Sequence, residues 1–201
     1  MMEKFMLLTR VEDTAISRRQ FFRVGACATL AAVTPTAFAK VLPANALEAP
    51  STASGERALS FYQTHTGESL RRVYWAEGDY LEDSLKEIKH LLRDHRTGEE
   101  RAIDPVLMDV LYRIRSGMNS TEPFHVISGY RSPATNSSLH ARSLGVASHS
   151  LHMEGMAIDI RLPGRDLKQL RDTATALRAG GVGYYRESDF VHVDVGRVRY
   201  W

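Results

Sequence analysis

The sequence is short of thiols, of long apolar runs and of net charge, and each shortage removes a class of protein. A single cysteine in 201 residues leaves no internal disulfide framework and no cysteine-rich zinc site. No apolar stretch reaches the roughly 20 residues that a membrane-spanning helix needs. Basic residues number 26 and acidic ones 24, without the clustered basic surface that a nucleic-acid partner calls for, so no nucleic acid is expected. Hydrophobic residues at 43% and charged ones at 25% match ordinary globular chains and exclude disordered, collagen-like and coiled-coil compositions. The length suits about one domain. What the chain has in number is histidine, with eight.

The N-terminus reads as an address and is set apart before any fold is considered. Ser17-Arg18-Arg19-Gln20-Phe21-Phe22 spells a twin-arginine pattern, followed by a weakly apolar stretch from Val24 to Phe38 that Pro35 interrupts. That stretch is too short to span a bilayer and suits the apolar region of a signal peptide. Ala37-Phe38-Ala39 offers a small-x-small cleavage site. Residues 1–39 are therefore expected to be a twin-arginine signal peptide, cleaved after Ala39, that delivers the chain to the periplasm with no stable membrane anchor. The twin-arginine route carries proteins already folded, which favours one that loads a metal before export. Five of the basic residues, three of the acidic ones and Cys27 lie in this segment. From Lys40 onward the chain is neutral, free of cysteine, and keeps all eight histidines.

Residues 40–55 are rich in Ala, Pro, Ser and Thr, with too few large apolar groups to pack, and read as a flexible lead-in. Residues 56–201 read as one domain. Alternation at Leu59, Phe61 and Gln63, a turn at His65 to Glu68, and renewed alternation through Leu70, Val73 and Trp75 predict a β-hairpin. Leu81, Leu85, Ile88, Leu91 and Leu92 recur at helical spacing. Asp104-Pro105 is a cap and first-turn pair for a second helix reaching about Gly117. Strands are predicted over 124–127, 156–160, 182–185 and 190–195, a helix over 166–178, and a partly helical polar segment over 132–144. Helices and strands in separate runs imply an α+β domain with helices packed on a small, mainly antiparallel sheet.

Three residues stand out chemically: His152, Asp159 and His192. Imidazole nitrogen and carboxylate oxygen are suitable zinc ligands, and three of them leave a fourth position for water. His152 precedes the strand that carries Asp159, with Gly155 permitting a tight path between them. Asp159 points away from its neighbours Ile158 and Ile160, and an acidic group inside an apolar strand needs a partner to offset its desolvation. In Phe190-Val191-His192-Val193-Asp194, His192 and Asp194 share one strand face. The expected metal site is thus on a loop and strand face of the domain.

Ser128-Gly129-Tyr130-Arg131-Ser132 with Asn136, Ser150-x-His152-x-x-Gly155-x-Ala157-x-Asp159, and Phe190-Val191-His192-Val193-Asp194 occur in that order. Together they resemble the zinc peptidases that include D-alanyl-D-alanine dipeptidases and carboxypeptidases. Gly180-Gly181-Val182-Gly183-Tyr184-Tyr185 and the closing Arg199-Tyr200-Trp201 resemble more narrowly the murein endopeptidase K branch, and the resemblance runs from about Leu59 to Trp201. It implies that His152, Asp159 and His192 hold Zn2+, that Arg131 contacts the substrate carbonyl and its oxyanion, and that Ser150 lies near the substrate. Many relatives carry a glutamate three residues before the last histidine. Here that position is Asp189, one methylene shorter, so Asp189 and Asp194 compete for the part of general base, with Asp194 equally suited to orient an imidazole.

The function expected from the resemblance is a periplasmic, monomeric zinc metallopeptidase that hydrolyses peptide cross-links of peptidoglycan. The alternatives are a D,D-carboxypeptidase or dipeptidase acting on uncross-linked stem peptides, and a zinc-stabilised wall-binding module without catalysis.

Overall fold

The computed structural model describes residues 55–142 and 146–201. The expected signal peptide of residues 1–39 lies outside the described residues, as does the lead-in up to residue 54. The hairpin forms as the alternation predicts, with β1 (Arg57–Gln63) antiparallel to β2 (Ser69–Ala76) and Leu59 and Phe61 pointing into the core. A two-residue strand, β3 (Asp79–Tyr80), extends it.

Helices start where local chemistry satisfies their free backbone N–H groups. α1 (Glu82–Leu91) lacks a side-chain cap, but Glu82 and Asp83 stand in its first turn, where negative charge suits the helix dipole. α2 (Pro105–Gly117) begins with Pro105, and the Asp104 side chain accepts from the Val106 N–H. β4 (Phe124–Ser128) follows, and then α3 (Pro133–His140), capped by Ser132. A short 3₁₀ turn (Leu151–Glu154) leads into β5 (Ala157–Arg161). α4 (Leu167–Ala176) is capped by Asp166, whose side chain accepts from Lys168 and Gln169. β6 (Gly181–Tyr185), β7 (Phe190–Asp194) and a two-residue β8 (Arg199–Tyr200) complete the chain.

The eight strands form one sheet in the order β3-β2-β1-β4-β5-β7-β6-β8. The α+β class holds, but the sheet is larger than expected and mixed, since β1 pairs parallel with β4 and β6 parallel with β8. The first parallel pair arises because α1 and α2 intervene between β1 and β4, and a crossover of that length lets the chain return in the same direction. β3 and β8 were not expected, being two residues each and too short to show a period. Leu59, Phe61, Phe124, Ile158, Ile160, Val191 and Val193 from the strands join Ile88, Leu107, Leu111, Ile114 and Leu170 from α1, α2 and α4 in one buried cluster. Strand side chains alternate. With Ile158, Ile160, Val191 and Val193 committed to that cluster, Asp159 and His192 are left on the opposite face of β5 and β7.

Candidate metal centre

The three expected ligands are placed by two local devices. His152 stands in the 3₁₀ turn, which Ser150 caps: the Ser150 hydroxyl accepts from the His152 N–H at 3.4 Å. Gly155 ends the turn at φ 69°, and a side chain there would collide with the Ala102 carbonyl, so the close path into β5 requires glycine. Asp159 and His192 sit directly opposite one another in the β5–β7 ladder. At the end of β4 an irregularity between Val126 and Ser128 places Ser128 opposite Asp159, and from there the chain turns toward Arg131.

These devices bring three ligand atoms to one point. His152 Nε2 lies 3.2 Å from Asp159 Oδ1 and 3.2 Å from His192 Nδ1, and His192 Nδ1 lies 2.9 Å from Asp159 Oδ1. A tetrahedral zinc bound at about 2.0–2.1 Å would hold its ligands about 3.3 Å apart, so the set fits such an ion with little adjustment. The outer ring nitrogens are committed as metal-binding imidazoles require. His152 Nδ1 donates to the Gly129 carbonyl at 2.7 Å and His192 Nε2 donates to Asp194 Oδ2 at 3.0 Å. All three residues are buried, and among the described residues they form a group able to hold a metal ion.

Burial by itself would raise the Asp159 pKa, but the charge and hydrogen bonds of His152 and His192 hold it well below the usual carboxylate range. For His192 burial works downward, and hydrogen bonds to Asp159 and Asp194 outweigh it and carry the pKa up to about 9. The centre therefore attracts positive charge, whether proton or metal ion.

Asp194 is fully buried and saturated. Its Oδ1 accepts from the backbone of Gly181 and Gly196, each at 2.9 Å, and from Arg199 Nη1 at 3.1 Å, while Oδ2 accepts from Arg199 Nη2 at 2.7 Å as well as from His192. It orients an imidazole and has no lone pair to spare for water. Asp189 occupies the turn between β6 and β7 at φ 54°, its side chain 60% exposed and paired with Arg161 at 2.6 Å. The structure does not bring it to the metal centre. Arg131 lies beside the centre: its Nη2 is 3.6 Å from Asp159 Oδ2 and 3.3 Å from Ser128 Oγ, and its Nη1 is 3.4 Å from Asn136 Oδ1.

A cavity of about 310 Å³ opens over the centre, lined by the three ligand residues together with Arg131, His149, Ser150, Tyr185, Phe190, Arg199 and Trp201 among others. A family model described as peptidoglycan L,D-endopeptidase MepK matches residues 51–201.

The chain belongs to the MepK family. It is 40% identical over 186 residues to peptidoglycan L,D-endopeptidase MepK of Escherichia coli K12, covering 92% of this chain and 97% of the relative, and equally so to the MepK of Shigella flexneri. The probable MepK of Haemophilus influenzae is 40% identical over 163 residues, 80% of this chain and 87% of its own.

Within this MepK-family site, the aromatic wall and Asp94 were not singled out from the sequence. Asp94 is buried behind the Arg131 loop. Its Oδ2 accepts from the Ser132 N–H at 2.9 Å and its Oδ1 from the Arg96 N–H at 2.9 Å. Burial would raise its pKa, but these bonds and one from the Thr135 side chain prevail and lower it to about 2. An aspartate after a basic helix end carries no sequence signal of such a role, because its partner is 38 residues away.

Proposed function

We propose that this protein is a zinc-dependent L,D-endopeptidase that opens peptide cross-links of peptidoglycan in the periplasm, reached by the twin-arginine route with cleavage after Ala39. The observation that carries the reading is the convergence of His152 Nε2, Asp159 Oδ1 and His192 Nδ1 within 3.2 Å of one another in a chain of the MepK family. His152, Asp159 and His192 would hold the ion, and bound zinc would polarise the scissile carbonyl and lower the pKa of its water toward neutrality. The relatives' names specify the L,D linkage, and family membership supports carrying it to this chain. Among the described residues no helix is long and apolar enough to cross a membrane.

The chain's own residues supply the rest of the chemistry. The Gly129 carbonyl and Asp194 fix the ring orientations of His152 and His192, so the ligand nitrogens are set before metal arrives. Arg131 is held by Ser128, Asn136 and Asp159. Burial pulls its pKa down, yet a guanidinium stays charged in proteins, and in a cavity wall it favours the negative charge that develops on a carbonyl oxygen under attack. Ser150 acts through the turn it caps. Asp194 works through His192 rather than on water, and Asp189 is bound to Arg161 outside the cavity.

The test is digestion of purified cross-linked muropeptides by the protein, with and without a chelator, followed by mass spectrometry. Cleavage of L,D-cross-linked dimers that stops on chelation and returns with zinc is expected. Release of terminal D-alanine alone would replace the reading with a carboxypeptidase. No product, with metal bound and sacculi retained, would replace it with a binding module.

A further inference from the structure

Arg199 and Trp201 line the cavity with side chains that occupy the space two glycines leave free. In the β6–β7 ladder Gly183 stands opposite His192 and Tyr185 opposite Phe190. Gly181, Gly183 and Tyr185 therefore share the face that carries His192. β8, which pairs with β6 on its other side, lays its own side chains over the two vacated positions. Arg199 reaches across Gly181 to Asp194, and the Trp201 ring lies over Gly183, where a Cβ would come within 2.6 Å of it. The Trp201 backbone is fixed on both sides, its carbonyl accepting from Tyr184 at 2.9 Å and its N–H donating to the Val182 carbonyl at 3.2 Å. Its ring rests against His192, with centroids 5.3 Å apart.

So held, Trp201 donates its indole N–H to the Tyr185 hydroxyl at 2.9 Å. That bond uses a lone pair of the Tyr185 oxygen and leaves the hydroxyl proton to point elsewhere. Among the described residues nothing accepts it. Tyr185 is half-buried, its ring stacked on Phe190 with centroids 4.5 Å apart, and it lines the cavity together with Arg131. A tyrosine with its oxygen fixed by one donor and its proton free is a preorganised hydrogen-bond donor, the kind of group that stabilises charge developing on a substrate oxygen.

Building on the peptidase reading above, we propose that Tyr185 is a catalytic residue that donates its hydroxyl hydrogen bond to the substrate carbonyl as it becomes an oxyanion, and that Trp201 is the positioning residue that aims it. Tyr185 complements Arg131, which brings positive charge to the same cavity, and Gly183 is required because any side chain there would displace the indole.

The experiment compares wild type, Tyr185→Phe, Trp201→Phe and the double variant, each checked for zinc content and melting temperature, on L,D-cross-linked muropeptide. Tyr185→Phe is expected to lower kcat roughly 100-fold with KM within about threefold and zinc stoichiometry unchanged. Trp201→Phe keeps a ring over Gly183 but removes the N–H, and should lower kcat by about 10-fold, an intermediate loss. In the Tyr185→Phe background the tryptophan change should add nothing, because the group it aims is gone. A phosphinic analogue of the tetrahedral intermediate, titrated calorimetrically, should lose affinity in the same order. Equal kcat in wild type and Tyr185→Phe, or losses that multiply in the double variant, would overturn the assignment while leaving the peptidase reading in place. A wild type with no cleavage would overturn the peptidase reading and this assignment with it. Should Trp201→Phe melt early, Gly183→Ala, which displaces the indole instead of removing its N–H, should show the same masking by Tyr185→Phe.

Discussion

β5 and β7 are each five residues long, and their two faces do opposite work. On one, Ile158, Ile160, Val191 and Val193 are essentially inaccessible and pack with α2 and α4 in the core. On the other, Asp159, His192 and Asp194 are also buried but make a polar network in which every ligand atom has a partner. The apolar face is held by contacts that are non-directional and spread over many atoms. The polar face depends on a few directed bonds, and losing one partner leaves a buried charge uncompensated. Stability should follow the first face and chemistry the second.

The largest effect that tests this contrast is His192→Ala. It should abolish bound zinc and lower hydrolysis by at least about 1,000-fold. Bound metal and normal turnover in this variant would break the ligand assignment. Ile158→Ala, one residue from Asp159 on the other face, should cost about 2–5 kcal/mol of stability in denaturant unfolding while the folded fraction keeps its zinc and its kcat. Asp194→Asn should weaken zinc affinity about 10- to 100-fold, measured by competition with a chelator, and its activity should recover as zinc is raised. A kcat that stays low at saturating zinc would return Asp194 to the part of general base.

Asp94 sharpens the contrast from outside the two strands. Its pKa is depressed in the folded protein, so its contribution is complete above the ordinary aspartate value near 4 and is lost as pH falls through about 2. Asp94→Asn should therefore be less stable than wild type by about 2 kcal/mol at neutral pH, and the gap should close as pH falls from about 4 to 2. A gap independent of pH would mean that the carboxylate charge is not what holds the Arg131 loop. The smallest effect belongs to Asp189→Asn, which removes an exposed ion pair with Arg161 of a kind worth about 0–1 kcal/mol, and should leave kcat within about twofold. A large fall in kcat would show that Asp189 swings from Arg161 to the metal centre during turnover.

Asp159, His192 and Asp194 were legible because each is an ionisable residue set against an apolar pattern, Asp159 between two isoleucines and His192 and Asp194 between valines. Period two then assigns them a face without any knowledge of the sheet. The cap at Asp104 is as local, and it forms. Where a role depends on a partner distant in sequence, the signal vanishes. Arg161 is 28 residues from Asp189, and its pairing turns a candidate base into a surface contact. Asp194 reads from its position alone as base or orienting group, and only the fold supplies the five hydrogen bonds that occupy its lone pairs.

The sequence by itself determined the donor set, the strand faces that carry it and the helix starts, since these follow from residue chemistry and from periods of two and 3.6 residues. The tertiary structure alone decided the sheet order, the parallel pairings of β1 with β4 and β6 with β8, and the seating of Arg199 and Trp201 over Gly181 and Gly183. Those outcomes rest on which segments meet after the chain has folded back on itself, and a contact between β6 and β8 leaves no periodic trace in either strand.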